Sequence, residues 1–196
     1  MKSLKKLFVL ILTLAFLTAL CGCNEVKDAE SALNSTIAAL QEGDYAKASG
    51  YINGSEILDN NEMLKNAKNT ESLVIALFSN LSCSINSSEK IDSTNVKINA
   101  DITNVNTANA FKNTITQAFS LALSGNVSQD EMESKILEIF TQNLSGEDAE
   151  TVTNTVDINM VKTEDGWKID ADEKVQDAIT GGLVSAAENL GSSLSE

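Results

Sequence analysis

From Glu25 onward, Val26, Ala29, Leu33, Ile37 and Leu40 recur every three or four residues and draw one face of a helix that stops at Gly43. Asp44 is placed to cap a short second helix containing Tyr45, Ala48, Tyr51 and Ile52. Gly54 and Asp59-Asn60-Asn61 supply turn chemistry, and Leu73, Val74, Leu77 and Phe78 mark a further helix. The period then shortens to two. Leu81, Cys83 and Ile85 alternate with polar residues, and after the polar Ser87-Ser88 stretch so do Val96, Ile98, Ala100 and Ile102, predicting two half-buried antiparallel strands.

Period 3.6 returns after Thr107, where Phe111, Ile115, Ala118, Phe119 and Ala122 form one stripe ending at Gly125. Ser128-Gln129-Asp130-Glu131 has the form of a capping box and opens a helix with Met132, Ile136, Ile139 and Phe140 inward. A second strand pair follows: Val152, Val156, Ile158 and Met160, an Asp165-Gly166 turn, then Trp167, Ile169 and Ala171. Asp172 caps a last helix bearing Val175, Ala178, Ile179, Leu183 and Ala186, with Gly181-Gly182 as a close packing point or break. Helices, two strands, two helices, two strands and a helix make an α+β fold: an antiparallel sheet of about four strands packed against several helices. Residues 25–190 form the single domain and 191–196 a tail. With 42% hydrophobic residues the chain has ample material for a core.

The first 22 residues follow neither period. Lys2, Lys5 and Lys6 precede Leu7 to Leu20, an apolar run of 14 residues without a charge, which is the order of an export signal and short for a membrane span. Leu20-Cys21-Gly22-Cys23 then resembles the lipobox of bacterial lipoproteins, with Leu20 at −3, small Gly22 at −1 and Cys23 at +1. Cys21 fits less well, because bulky Leu20 would occupy −1. The resemblance implies a lipid on the Cys23 thiol, cleavage of residues 1–22, and a mature chain beginning Cys23-Asn24 held on the extracytoplasmic face of a bacterial cell membrane. An uncleaved anchor or an ordinary secreted protein is the alternative.

The charge is −14, and removal of residues 1–22 takes three of the 14 basic residues and none of the 28 acidic ones, leaving −17. Such a field repels nucleic acid and anionic head groups, so no nucleic-acid partner is expected and the lipid holds the chain to its membrane. Histidine, proline and arginine are absent, which excludes histidine-dependent triads, histidine zinc helices and arginine phosphate clamps. With Cys23 acylated, Cys83 is the only thiol, so the fold relies on its core rather than on a disulfide. Cys83 itself reads as a small buried hydrophobe.

Gly43-Asp44-Tyr45-Ala46-Lys47-Ala48 after an amphipathic first helix, and Gly166-Trp167-Lys168-Ile169-Asp170 closing the last hairpin, resemble motifs of the nuclear-transport-factor-two-like (cystatin-like) superfamily. Its bacterial lipoprotein branch, a group of domains of unknown function, is the nearest likeness. The resemblance implies a cone-like domain in which a curved sheet wraps helices around a cavity. It brings no activity, since relatives include isomerases, dehydratases, ligand binders and adhesive modules.

Trp167 reads as a core anchor at the mouth of the sheet or as a stacking surface in a cavity, with Tyr51 and Tyr45 as candidate hydrogen-bond donors there. An isomerase- or dehydratase-like enzyme would pair such a tyrosine with an inward carboxylate, yet Asp101 and Asp157 fall on the polar alternation. Asp59-Asn60-Asn61-Glu62 and Glu147-Asp148 do not match a calcium loop, so neither a metal nor a cofactor is expected. The expected function is a non-catalytic binding domain for a small ligand or an envelope protein, with an enzyme or a structural spacer as alternatives.

Overall fold

Strand β3 (Asn95–Val105) is central in the sheet, and its burial alternates without a fault from Asn95 to Asn104. Val96, Ile98, Ala100 and Ile102 are at most 1% exposed, while Asn95, Lys97, Asn99 and Asp101 between them are not buried. A slip of one residue would exchange an apolar face for a polar one, so the register of its neighbours is strongly set. The structure, a computed structural model, describes residues 24–53, 70–125, 127–146 and 149–193.

On either side of β3 lie the antiparallel strands β2 (Ser82–Lys90) and β4 (Thr151–Thr163), and β4 pairs with β5 (Gly166–Asp170) across the expected Asp165-Gly166 turn. The sheet is curled and unclosed, and among the described residues it has five strands in the order β1-β5-β4-β3-β2. The strand beyond the expected four is β1 (Ile52–Asn53), which runs parallel to β5 at the edge. The Ile169 amide donates to the Tyr51 carbonyl at 2.7 Å beside it. Two residues carry no period, so no alternation announces such a strand.

Helix α1 (24–41) lays Ala29, Leu33, Ile37 and Leu40 on the inner face of the sheet, as its spacing requires. Short α2 (Tyr45–Ser49) is capped by Asp44, whose carboxylate accepts from the Lys47 amide at 3.0 Å. Phe78 of α3 (Thr70–Phe78) and Val175, Ala178 and Ile179 of α6 (Glu173–Ile179) complete the layer over Ile98, Ile102, Ile158, Met160 and Ile169. Each such fully buried aliphatic side chain contributes about 1.5–3 kcal/mol of transfer free energy.

The first hairpin turns later than expected. Strand β2 passes through Ser87-Ser88 to Lys90, with a register shift between Ile85 and Ser87. A bulge of this kind changes which residues face inward, so the apolar alternation ends there although the strand does not. The turn is at 91–94, where the Asp92 carboxylate accepts from the Thr94 amide at 2.7 Å, the Thr94 hydroxyl at 2.9 Å and Asn95 Nδ2 at 2.8 Å.

Between the strand pairs, α4 (Thr107–Ser124) and α5 (Gln129–Ser145) form a helical hairpin. Glu131 accepts from the Ser128 amide at 3.2 Å and its hydroxyl at 2.6 Å, so the expected capping pair is in place. The hairpin is anchored at its base by a second small core of Ala76, Val105, Ala110 and Leu144. Beyond it α5 packs on α3, and α4 packs on α7 (Leu183–Ser193).

The expected single last helix is two. Asp172 caps α6 through the Val175 amide at 2.9 Å, and the chain breaks at Thr180-Gly181-Gly182 before α7. The break is tied to the end of β3. Asn104 Nδ2 donates to the Ile179 carbonyl at 2.7 Å, and the Gly181 carbonyl accepts from the Thr107 amide at 2.9 Å and its hydroxyl at 2.8 Å. Cys23 and the export signal, Gly54, the 59–62 turn and Glu147-Asp148 lie outside the described residues. Among the described residues, no helix is long and apolar enough to cross a membrane.

Candidate functional site

Trp167, Tyr51 and Tyr45 gather on one apolar cluster, but as packing. Trp167 is only 6% exposed and points with Ile169 into the core. Lys162, its cross-strand neighbour, holds Nζ 5.8 Å from the indole centroid, an attraction between cation and ring face. The indole Nε1 is buried without a hydrogen-bond partner among the described residues. Tyr51 and Tyr45 are half-buried against the same cluster, and the Tyr45 ring lies tilted on Phe78 at 6.2 Å between centroids. The three residues read as a cavity set are thus neighbours of the central core.

The carboxylates an isomerase would need lie on the other face of the sheet. Asp101 accepts from the Thr155 hydroxyl at 2.6 Å, and Asp157 accepts from Asn99 at 2.7 Å and pairs with Lys97 at 2.7 Å. The Thr155 bond, with help from Asn86, holds the Asp101 carboxyl below the usual carboxylate range. The Lys97 bond, then that from Asn99, does the same for Asp157. Asp170 is exposed at the end of β5. A polar depression of about 400 Å³ is lined by Lys97, Asn99, Thr155, Asp157, Asp172 and Lys174, with Lys97 and Asp157 paired to each other and Asp172 capping α6. Among the described residues no cluster of acidic or sulfur groups is arranged to hold a metal ion.

Burial pushes the Cys83 thiol up to about 11, with the charge of Asp101 adding to it. A thiol raised in this way is protonated at neutral pH, although Cys83 is half-buried rather than fully buried as its place in an apolar alternation implied.

The unexpected surface is on α4. Amphipathic logic sends Phe111, Ile115 and Phe119 inward, yet the buried residues of this helix are Thr107, Ala110 and Thr114. The reason is geometric. At 3.6 residues per turn, a four-residue step advances the side chain by about 40° around the axis. Phe111 is accordingly half-buried, in an edge-on contact with Phe140 at 6.2 Å, and Ile115, Phe119 and Leu123 follow at 44%, 66% and 73% exposure. Ile136 of α5, also expected inward, is 37% exposed.

An apolar groove of about 350 Å³ between α4 and α7 runs along the inner margin of this stripe, past Ala108, Phe111, Ile115 and Ala186. Although the whole chain carries 28 acidic residues, none of the 18 residues of α4 is acidic. The acidic groups of the hairpin are on α5, where Glu131 accepts from Ser128 and Glu138 pairs with Lys135. The sequence signal for this surface is the run of small residues at 107, 110 and 114, which lets α4 approach its neighbours closely and leaves the larger side chains outside.

No family profile matches the chain, and no curated protein matches it. Among solved structures it is similar to the “putative lipoprotein (ycdA)” from Bacillus subtilis subsp. subtilis str. 168, at a TM-score of 0.57 and 16% identity, over 82% of this chain and 57% of that one. The chain therefore spans little more than half the length of that protein, and at this identity the likeness shows a shared fold.

Proposed function

We propose that the chain is a lipid-anchored extracytoplasmic lipoprotein whose α+β domain is a binding module for another envelope protein. The anchor reading rests on the signal-like start and on Leu20-Cys21-Gly22-Cys23, and agrees with the shared fold of a protein described in lipoprotein terms. Placement in the nuclear-transport-factor-two-like superfamily rests on the Gly43–Ala48 and Gly166–Asp170 motifs.

The observation that carries the binding reading is the Ile115, Phe119 and Leu123 stripe, an apolar surface free of acidic groups on a strongly acidic chain. Apolar side chains aligned along one helix mark an interaction surface rather than ordinary scattered exposure. A protein partner is favoured over a small ligand because the aromatic residues expected to line a cavity pack into the core.

The test is site-specific photocrosslinking in the protein's own cells, with the crosslinking residue at position 119 and, as control, at Ser84 on β2. A discrete adduct with one envelope protein from 119 and none from 84 supports the reading. No adduct from 119, or equal adducts from both, overturns it, and an adduct of the chain with itself replaces the partner by a second copy.

A further inference from the structure

The chain is already helical at Asn24, the residue that follows Cys23. If Cys23 carries the lipid, one peptide unit of about 3.8 Å separates the acylated residue from the folded domain. No flexible spacer intervenes, so the end of the fold that holds Asn24 is held at the bilayer. This rests on the anchor reading above.

Which end that is follows from the contacts. Glu25, in the first described turn of α1, pairs with Lys90, the last residue of β2. The 91–94 turn comes next, with Ile91 exposed at 56%. The Lys162 amide donates to the Thr94 carbonyl at 2.8 Å, which brings the end of β4 level with that turn. Trp167 pairs with Lys162 and Gly166 with Thr163, so the 164–165 turn stands beside it. The turn is stiff, since Asp92 binds three donors of its own loop.

We propose that this end of the sheet is a bilayer-facing surface, with the 91–94 and 164–165 turns lying in the head-group layer and Ile91 as the apolar contact. The occupant is the membrane to which the chain is tethered, because the anchoring residue adjoins this end and no other. Lys90 and Lys162 alternate there with Asp92, Glu164 and Asp165, a mixed set suited to zwitterionic head groups. The attraction of one isoleucine is slight, and the tether supplies the contact by holding the surface at high effective concentration. Strand β3 carries the chain away from this end over 11 residues, roughly 36 Å at about 3.3 Å each, to the base of the α4–α5 hairpin. The stripe on α4 is thus borne on the hairpin that leaves the membrane-distal end of the sheet.

The experiment uses the full chain, exported and processed in a bacterial host and reconstituted in phosphatidylcholine vesicles containing brominated lipid. In a Cys83→Ala background, a fluorophore is placed at Ser93→Cys or at Thr151→Cys. Thr151 begins β4 opposite Val105, at the far end of the sheet. The intact mass of each sample is measured first.

With lipid on Cys23, the label at 93 is quenched several-fold more strongly than the label at 151. A lipidated sample in which the two labels are quenched alike, or 151 more strongly, overturns the orientation and leaves the anchor standing. A sample without lipid on Cys23 removes the anchor, and the orientation falls with it.

Discussion

Gly181 is the position where one methyl group should cost the most. Its φ is +65°, in the left-handed region, and a Cβ there would lie 1.9 Å from the Val105 carbonyl oxygen and 3.1 Å from its carbon. Backbone, not a flexible side chain, is in the way, so the Thr180–Gly182 segment must move off the end of β3. Moving it breaks the bonds from the Thr107 amide and hydroxyl to the Gly181 carbonyl, and strands groups that are fully buried. The left-handed conformation costs about 1–2 kcal/mol for alanine. Each buried polar group left unpaired adds about 1–3 kcal/mol.

Gly181→Ala should therefore destabilise by about 3–8 kcal/mol, a large part of the roughly 5–15 kcal/mol that holds a domain folded. Gly125→Ala is the control, because Gly125 has φ +67° and nothing within 4 Å of the added Cβ. It should show the conformational term alone, about 1–2 kcal/mol. Urea unfolding of both variants, read by far-ultraviolet circular dichroism at constant m, measures the difference. Equal losses at the two positions would refute the claim that Gly181 is held against β3.

Ile98→Ala, at the centre of β3 and fully buried, should cost about 2–5 kcal/mol by the same assay, whereas Phe119→Ser on the exposed stripe should stay within about 0.5 kcal/mol of the unmodified chain. A large loss at 119 would show that the stripe is core. Trp167→Phe should cost under about 1.5 kcal/mol, because it keeps most of the ring and removes a donor that has no partner, while Trp167→Ala should cost about 3–5 kcal/mol. A phenylalanine variant as damaged as the alanine one would mean that Nε1 is bonded in solution. On residues 24–196, whose only thiol is Cys83, reaction with a thiol-specific disulfide reagent at pH 8 should be at least tenfold slower than after unfolding in urea, since burial keeps the thiol protonated and shielded. Equal rates would place the sulfur in solvent. Asp157 has a depressed folded pKa, so its pairing with Lys97 and Asn99 contributes stability above the ordinary carboxylate pKa and loses it as pH falls through the lowered value. Asp157→Asn should thus lower the melting temperature at pH 7 more than at pH 2, and a pH-independent difference would sink the assignment.

How much of this was legible depends on whether one period governs a whole element. Val96 to Ile102 alternate without a fault, and the structure buries each of them. Asp44, Asp172 and the Ser128-Glu131 pair cap helices because their chemistry is local and completed within three residues. Strand β1 escaped because its existence depends on β5, more than a hundred residues away. The bulge after Ile85 hid the second half of β2, where the apolar alternation stops although the hydrogen-bonded ladder goes on.

The stripe on α4 was visible as a pattern and its direction was not. An apolar row at four-residue spacing winds around the helix, and only the packing of α5 and α7 decides which part is covered. The aromatic trio was legible as a group but not in its role, for a related reason. Trp167, Tyr51 and Tyr45 are brought together as the residue types allowed, but core packing and cavity lining use the same side chains, and their spacing along the chain does not distinguish the two.

The most direct test of the account is the intact mass and N-terminal sequence of the full chain after export in a bacterial host, beside a Cys23→Ser variant. The account predicts a mature protein beginning at Cys23, heavier than residues 23–196 by a diacylglyceryl group and fractionating with membranes, and a variant that is neither cleaved before position 23 nor lipidated. An unmodified chain released to the medium, or a lipid at a residue other than Cys23, would contradict it.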